Sequence, residues 1–239
     1  MMTSPLVKSR AAELLTRIKR FSSPATKKQM QEKFGICTDQ AVGTTVTTLR
    51  ALVKGLPRPD QELAEALWNS HVHEARIMAS LLADPAQMTR DKLDAWVHEL
   101  NSWDICDLCC GNLFSKVKNP LKLAERWIKK EDEFVRRAGF AIICSLAVPR
   151  AKTTDEDLIK LLPLIKNHAA DERPLVHKAV NWALRNIGKK NPRLTPHALA
   201  CAEEILDLYP HNRAARWVAH NALWELNLPK TKAMVAKRK

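Results

Sequence analysis

Proline punctuates this chain, and that restricts the folds open to it. Pro57, Pro59, Pro85, Pro120, Pro149, Pro174, Pro192 and Pro210 separate segments of helix length. A residue that fixes φ and lacks an amide proton belongs at such boundaries. Between the prolines, apolar residues return every three or four positions, the period of a helix buried on one face. Strand signals are nearly absent, with only 6 glycines, 5% aromatic residues and almost no alternating runs. The spacing predicts about a dozen helices in short pairs, and hence an all-α fold.

A loose internal repeat emerges when the second helix of each pair is aligned. The segments are "HEARIMASLL", "DICDLCCGNLF", "VRRAGFAIICSL", "VHKAVNWALRNIG" and "ARWVAHNALWEL". Arg76, Asp107, Arg137, Lys178 and Arg216 mark them at steps of 31, 30, 41 and 38 residues. Helix pairs at this period suggest a HEAT-like repeat solenoid, an α-α superhelix of about six pairs with a concave basic face. The alternative is an irregular all-helical bundle. The expected organisation is a single solenoid domain over residues 1–228. Residues 229–239, "PKTKAMVAKRK", form a basic, mobile tail in this reading.

The charge balance narrows the partner. With 39 Lys and Arg against 26 Asp and Glu, the 239-residue chain carries +13, which favours a polyanion, most commonly nucleic acid. Hydrophobic content of 46% fits a folded protein. No apolar run is long enough to span a membrane. The basic start, with Lys8, Arg10, Arg17, Lys19 and Arg20, lacks the apolar core of a secretory signal. It reads as a capping helix, with an amphipathic targeting segment as the alternative. Cysteines stand at 37, 106, 109, 110, 144 and 201 without the second pair or histidine spacing of a metal site. They read as small, mostly buried thiols of a reducing, cytoplasmic compartment, with no metal and no disulfide.

Each helical residue advances by roughly 100°, which places the polar markers relative to their own apolar stripes. Across residues 104–117 the stripe is Ile105, Cys109 and Leu113. Asp107 lies roughly 160° from its centre and Trp103 roughly 120°. Arg137 lies roughly 140° from a stripe of Val135, Ala138, Ile142 and Leu146. Trp182 projects opposite Val176, Val180, Ala183, Leu184 and Ile187, together with Lys178 and Arg185. Arg213, Arg216, Trp217, His220 and Trp224 fall opposite Ala215, Val218, Ala222 and Leu226. Arg76 and His73 follow the same rule. Four of the 7 tryptophans thus face away from the apolar stripes among basic residues, as on a surface that stacks on sugars or bases and pairs with phosphates. Two other readings stay open here. The tryptophans could fill a second helix interface, and Asp104-x-x-Asp107 could be a capping box at a helix start.

Three motifs resemble the alkylpurine DNA glycosylases of the AlkD type: "SWDICD" (102–107), "FVRRAGFAI" (134–142) and "HKAVNWALR" (177–185), in the family's order and at similar spacing. "LWNSHVHEAR" (67–76) fits an earlier repeat, and the likeness covers most of residues 30–226. The cysteine cluster and the "VHEAR" segment depart from the pattern. The resemblance implies a HEAT-like solenoid whose concave basic face holds double-stranded DNA containing alkylated purines. It implies Asp107 as the catalytic carboxylate, Trp103 and Trp182 packed along the lesioned deoxyribose, and Arg137 on the DNA backbone. Arg76, Arg136, Lys178, Arg185, Arg213, Arg216 and Trp217 complete the expected backbone contacts.

An N7- or N3-alkylated purine is already cationic and needs no acid to leave. The expected activity is therefore monofunctional hydrolysis of its N-glycosidic bond, with one carboxylate stabilising the oxocarbenium-like sugar and orienting water. No lysine stands at helical spacing beside Asp107, which disfavours a Schiff-base step. The expected protein is a monomer without cofactor, membrane or obligatory protein partner, and without a deep pocket for an extruded base. A non-catalytic binder of branched or damaged DNA and a HEAT-type protein scaffold are the competing readings.

Overall fold

The computed structural model describes residues 4–238, and these form helices and connecting turns with no β-strand among them. The chain divides into two compact units, Met1–Lys118 and Asn119–Lys239.

The first unit contains α1 (Pro5–Arg20), α2 (Pro24–Phe34), α3 (Val46–Lys54), α4 (Gln61–Trp68), α5 (His73–Leu82), α6 (Arg90–His98) and α7 (Trp103–Asn112). Hydroxyl and carboxylate caps start most of these helices. Ser4 Oγ accepts from the Val7 amide, Ser23 Oγ from Thr26, Thr45 Oγ1 from Thr48 and Asp60 Oδ1 from Leu63, each satisfying an amide the helix cannot. Pro5 and Pro24 occupy first-turn positions, where no amide proton is needed. Helix α1 buries Val7, Ala11, Leu14 and Ile18 and packs on α4, with Arg10 paired to Asp60 at 2.7 Å. It is thus an integral part of this unit. Helix α5 lies at the centre, packed against α3, α4 and α7.

The second unit contains α8 (Pro120–Ile128), α9 (Glu133–Leu146), α10 (Asp155–Ile159), α11 (Leu162–Asn167), α12 (Pro174–Lys190), α13 (Leu194–Leu208), α14 (Arg213–Asn227) and α15 (Pro229–Ala236). Helix α9 packs between α8 and α12, and α12 also packs on α13 and α14. The α8–α9 approach needs Gly139, since a Cβ there would lie 2.6 Å from Ile128 Cγ1 and 2.8 Å from Ala124 O.

The repeat markers fall on α5, α7, α9, α12 and α14, the second helix of each successive pair. The long 41-residue step from Arg137 to Lys178 arises because two short helices, α10 and α11, replace a single first helix. The expected mobile tail is instead helical. Residues 229–236 form α15, which buries Thr231 and Val235 against α12 and α14, and Arg238 donates to the Lys189 carbonyl. Lys239, also assigned to the tail, lies outside the described residues. Among the described residues, no helix is long and apolar enough to cross a membrane.

Candidate functional site

The N-cap of helix α7 is Ser102, and this excludes the capping role for Asp107. Ser102 is the capping residue, Trp103 the first helical residue, and Asp107 lies a full turn beyond it. Asp107 therefore sits too far along to cap the helix start. The helix-start contacts belong to Asp104, whose Oδ1 accepts from Ser102 Oγ at 2.5 Å. Ile105, Cys106, Cys109 and Cys110 turn into the core, leaving Trp103 and Asp107 half-buried, four residues apart on one face. The Trp103 ring is fixed by donation from Nε1 to the Phe34 carbonyl at 2.9 Å.

Sequence reasoning anticipated no pocket here, yet Trp103 and Asp107 line a hollow of about 450 Å³. Helix α2 and the loop after it stand up as a wall, contributing Met30, Phe34 and Ile36, while Ile77 and Leu108 supply further apolar surface. Glu74 explains the loop's position. It is 0% exposed, and its carboxylate accepts from the amides of Val42 (3.0 Å), Gly43 (2.7 Å) and Thr44 (3.1 Å). The loop is thereby tied by its main chain to α5. Gly43 has φ +88, and a Cβ there would lie 2.4 Å from the Ser23 carbonyl, so this turn requires glycine.

His73, 2% exposed, completes the lining. Its Nε2 lies 2.8 Å from Asp104 Oδ2. Burial pushes the Asp104 carboxyl up, but hydrogen bonds from His73 and Ser102 outweigh it and hold the group below the usual carboxylate range. Sequence reasoning missed this pair as a unit, because its members lie 31 residues apart. The only local signal was the departure at "VHEAR". The neighbouring thiols are inert by contrast. Cys106, Cys109 and Cys110 are fully buried, and burial pushes Cys109 far up, as expected for structural cysteines. No group of three or more His, Cys, Asp or Glu among the described residues is placed to hold a metal ion.

The basic residues expected on an outward face separate into three groups. Arg76 and Arg137 are buried, at 4% and 5% exposure. Arg76 donates to Glu99 Oε2 (2.6 Å) and the Glu99 carbonyl (3.0 Å), with its guanidinium 5.0 Å from the Trp68 ring. Arg137 donates to the Leu175 carbonyl at 2.6 Å. Their outward placement is thus corrected. α5 and α9 are covered on more than one side, so the direction opposite the apolar stripe meets another element rather than solvent. Arg136 and Arg185 are half-buried in ion pairs, Arg136 with Asp171 (2.8 Å) and Glu131 (2.9 Å), and Arg185 with Glu225. Lys178, Arg213, Arg216 and Trp217 are exposed as expected. Trp182 is half-buried on α12, and Trp224 is 62% exposed. The other tryptophans, 68, 96 and 127, are core, with Trp68 and Trp96 stacked at 4.0 Å.

Comparison with known proteins places this arrangement. The family model for DNA alkylation repair enzymes matches residues 14–226. The chain belongs to the DNA alkylation repair enzyme family. Among solved structures it is similar to a member of "a new family of proteins related to the HEAT-like repeat DNA glycosylases with affinity for branched DNA structures". Identity is 21% over 81% of this chain and 82% of that one, with a TM-score of 0.72. The DNA alkylation repair family member described here thus has a HEAT-like repeat fold. None of the curated proteins matches the chain significantly.

Proposed function

We propose that this DNA alkylation repair family member is a monofunctional DNA glycosylase hydrolysing the N-glycosidic bond of cationic alkylated purines in duplex DNA. The observation that carries the reading is the shared hollow: Asp107 and a fixed Trp103 ring face one apolar-walled space. A purine alkylated at N7 or N3 leaves without prior protonation, so the chemical demand is to stabilise positive charge on the sugar and to supply water. Asp107 meets both demands. Apolar walls strengthen its attraction for the sugar cation by lowering the local dielectric. The Trp103 ring adds cation–π attraction of about 0.5–2 kcal/mol. Trp182 and the exposed Lys178, Arg213, Arg216 and Trp217 are proposed DNA contacts of the second unit. Arg76 and Arg137 are proposed to act through packing, since their donors are engaged internally.

The test is base release from duplex DNA carrying a single N7-methylguanine. Wild-type protein releases the base, and Asp107→Asn lowers the rate at least about 100-fold while retaining its fold and duplex affinity. The solved relative's described affinity for branched DNA favours one second reading, a DNA binder without chemistry. Tight, salt-sensitive binding with no release by wild type would replace the first reading by the second.

A further inference from the structure

A second hollow, of about 590 Å³, lies within the second unit between the starts of α12 and α14. Its lining includes Glu172, His177, Lys178, Arg213, Ala214 and Trp217, and its size falls in the ~300–1,000 Å³ range of small-ligand sites. We infer that this hollow holds an unpaired nucleotide of a DNA arm, with its base stacked on Trp217 and its phosphate between Lys178 and Arg213. The inference rests on the DNA-binding part of the reading above and deepens it.

Three observations converge. Arg213 and Trp217 are four residues apart on α14 and so share a face, and Lys178 supplies a second exposed cation from α12. Trp217 is 42% exposed, and His177 braces it edge-on with ring centroids 5.2 Å apart at 61°. An indole held this way is a stacking platform. A base within a duplex has both faces covered by neighbours, whereas an unpaired base has a free face to offer.

The third observation concerns His177 Nδ1, which is buried and has no hydrogen-bond partner among the described residues. Burial also pulls the imidazole below its ordinary pKa. A buried ring nitrogen without a partner calls for a polar group from a ligand. Glu172 adds a carboxylate to the lining. A phosphate alone would leave the indole idle. A nucleotide engages the indole with its base, the cations with its phosphate, and the polar lining with its base edge.

The experiment compares two ligands for the full chain at one salt concentration: a blunt duplex, and the same duplex extended by a short unpaired arm containing 2-aminopurine. The arm should tighten binding about tenfold, and 2-aminopurine fluorescence should be quenched on binding. Trp217→Ala should bring the armed-to-blunt affinity ratio to about one and remove the quenching, whatever it does to duplex affinity itself. Trp217→Phe should keep most of both. Equal affinity of wild type for the two ligands, with base release intact, overturns the inference and leaves the proposed function standing. Failure to bind either ligand removes the DNA-binding reading with it.

Discussion

In α5, Arg76 lies opposite an apolar stripe and ends with its guanidinium over Trp68, bonded to Glu99 and almost sealed from solvent. In α14, Arg213 and Trp217 occupy the same relation to their stripe, and both are exposed. The residue patterns match; the coverage differs. Helix α5 is packed by α3, α4 and α7 and is buried at nine of its ten positions. Helix α14 buries only Ala214, Ala215, Val218, Ala219, Ala222 and Leu226. A polar face drawn from helical spacing is therefore a direction, and only the neighbouring helices decide whether it leads to water.

The contrast breaks most readily at Glu74. Glu74→Ala strips three amides of their acceptor, two of them buried, and should cost about 3 kcal/mol, read as a lower urea midpoint. A near-neutral result would mean that the loop holds its place without the carboxylate. Arg76→Ala should follow at about 2 kcal/mol, losing the bonds to Glu99 and the contact with Trp68. In the second unit, burial would raise the Asp171 carboxyl, but bonds from Arg173 and Arg136 hold it at about 2. Its folded value lies below the ordinary 3.8, so its stabilisation is present above pH ~4 and lost as pH falls towards about 2. Acid titration of unfolding should show that loss in wild type and a flatter profile in Asp171→Asn. Arg213→Ala should change stability by less than about 0.5 kcal/mol while reducing the salt slope of DNA binding by about 1. A large stability loss there would place Arg213 with Arg76 and erase the contrast.

How much of this was readable beforehand follows the same division. The periodic pattern located the five helices that carry the repeat markers and the buried side of α7, because helical spacing and proline placement are local properties. It also separated Trp217 and Trp224 from the core, since α14 carries a single apolar stripe. It misplaced Arg76 and Arg137, whose environments depend on elements tens of residues away. The His73–Asp104 pair and the Glu74 clamp were illegible for the same reason: each joins segments 30 or more residues apart. The start of α7 at Ser102 was hidden more subtly, because Asp104 and Asp107 fit a cap in sequence, and only the backbone shows which residue opens the helix.

The wall of the hollow beside Asp107 is held chiefly through main-chain amides, with the buried Thr44 hydroxyl, which donates to the Ile18 carbonyl, as the loop's own side-chain tie. Glu74 grips the amides of residues 42 to 44 rather than their side chains, provided Gly43 keeps its turn. The shape of the scaffold is thus uncoupled from the surface it displays. Exposed lining positions such as Gln29 can change the surface of the hollow without displacing Asp107. Under the proposed glycosylase reading, such changes along one wall would alter which adducts fit while Asp107 keeps its place.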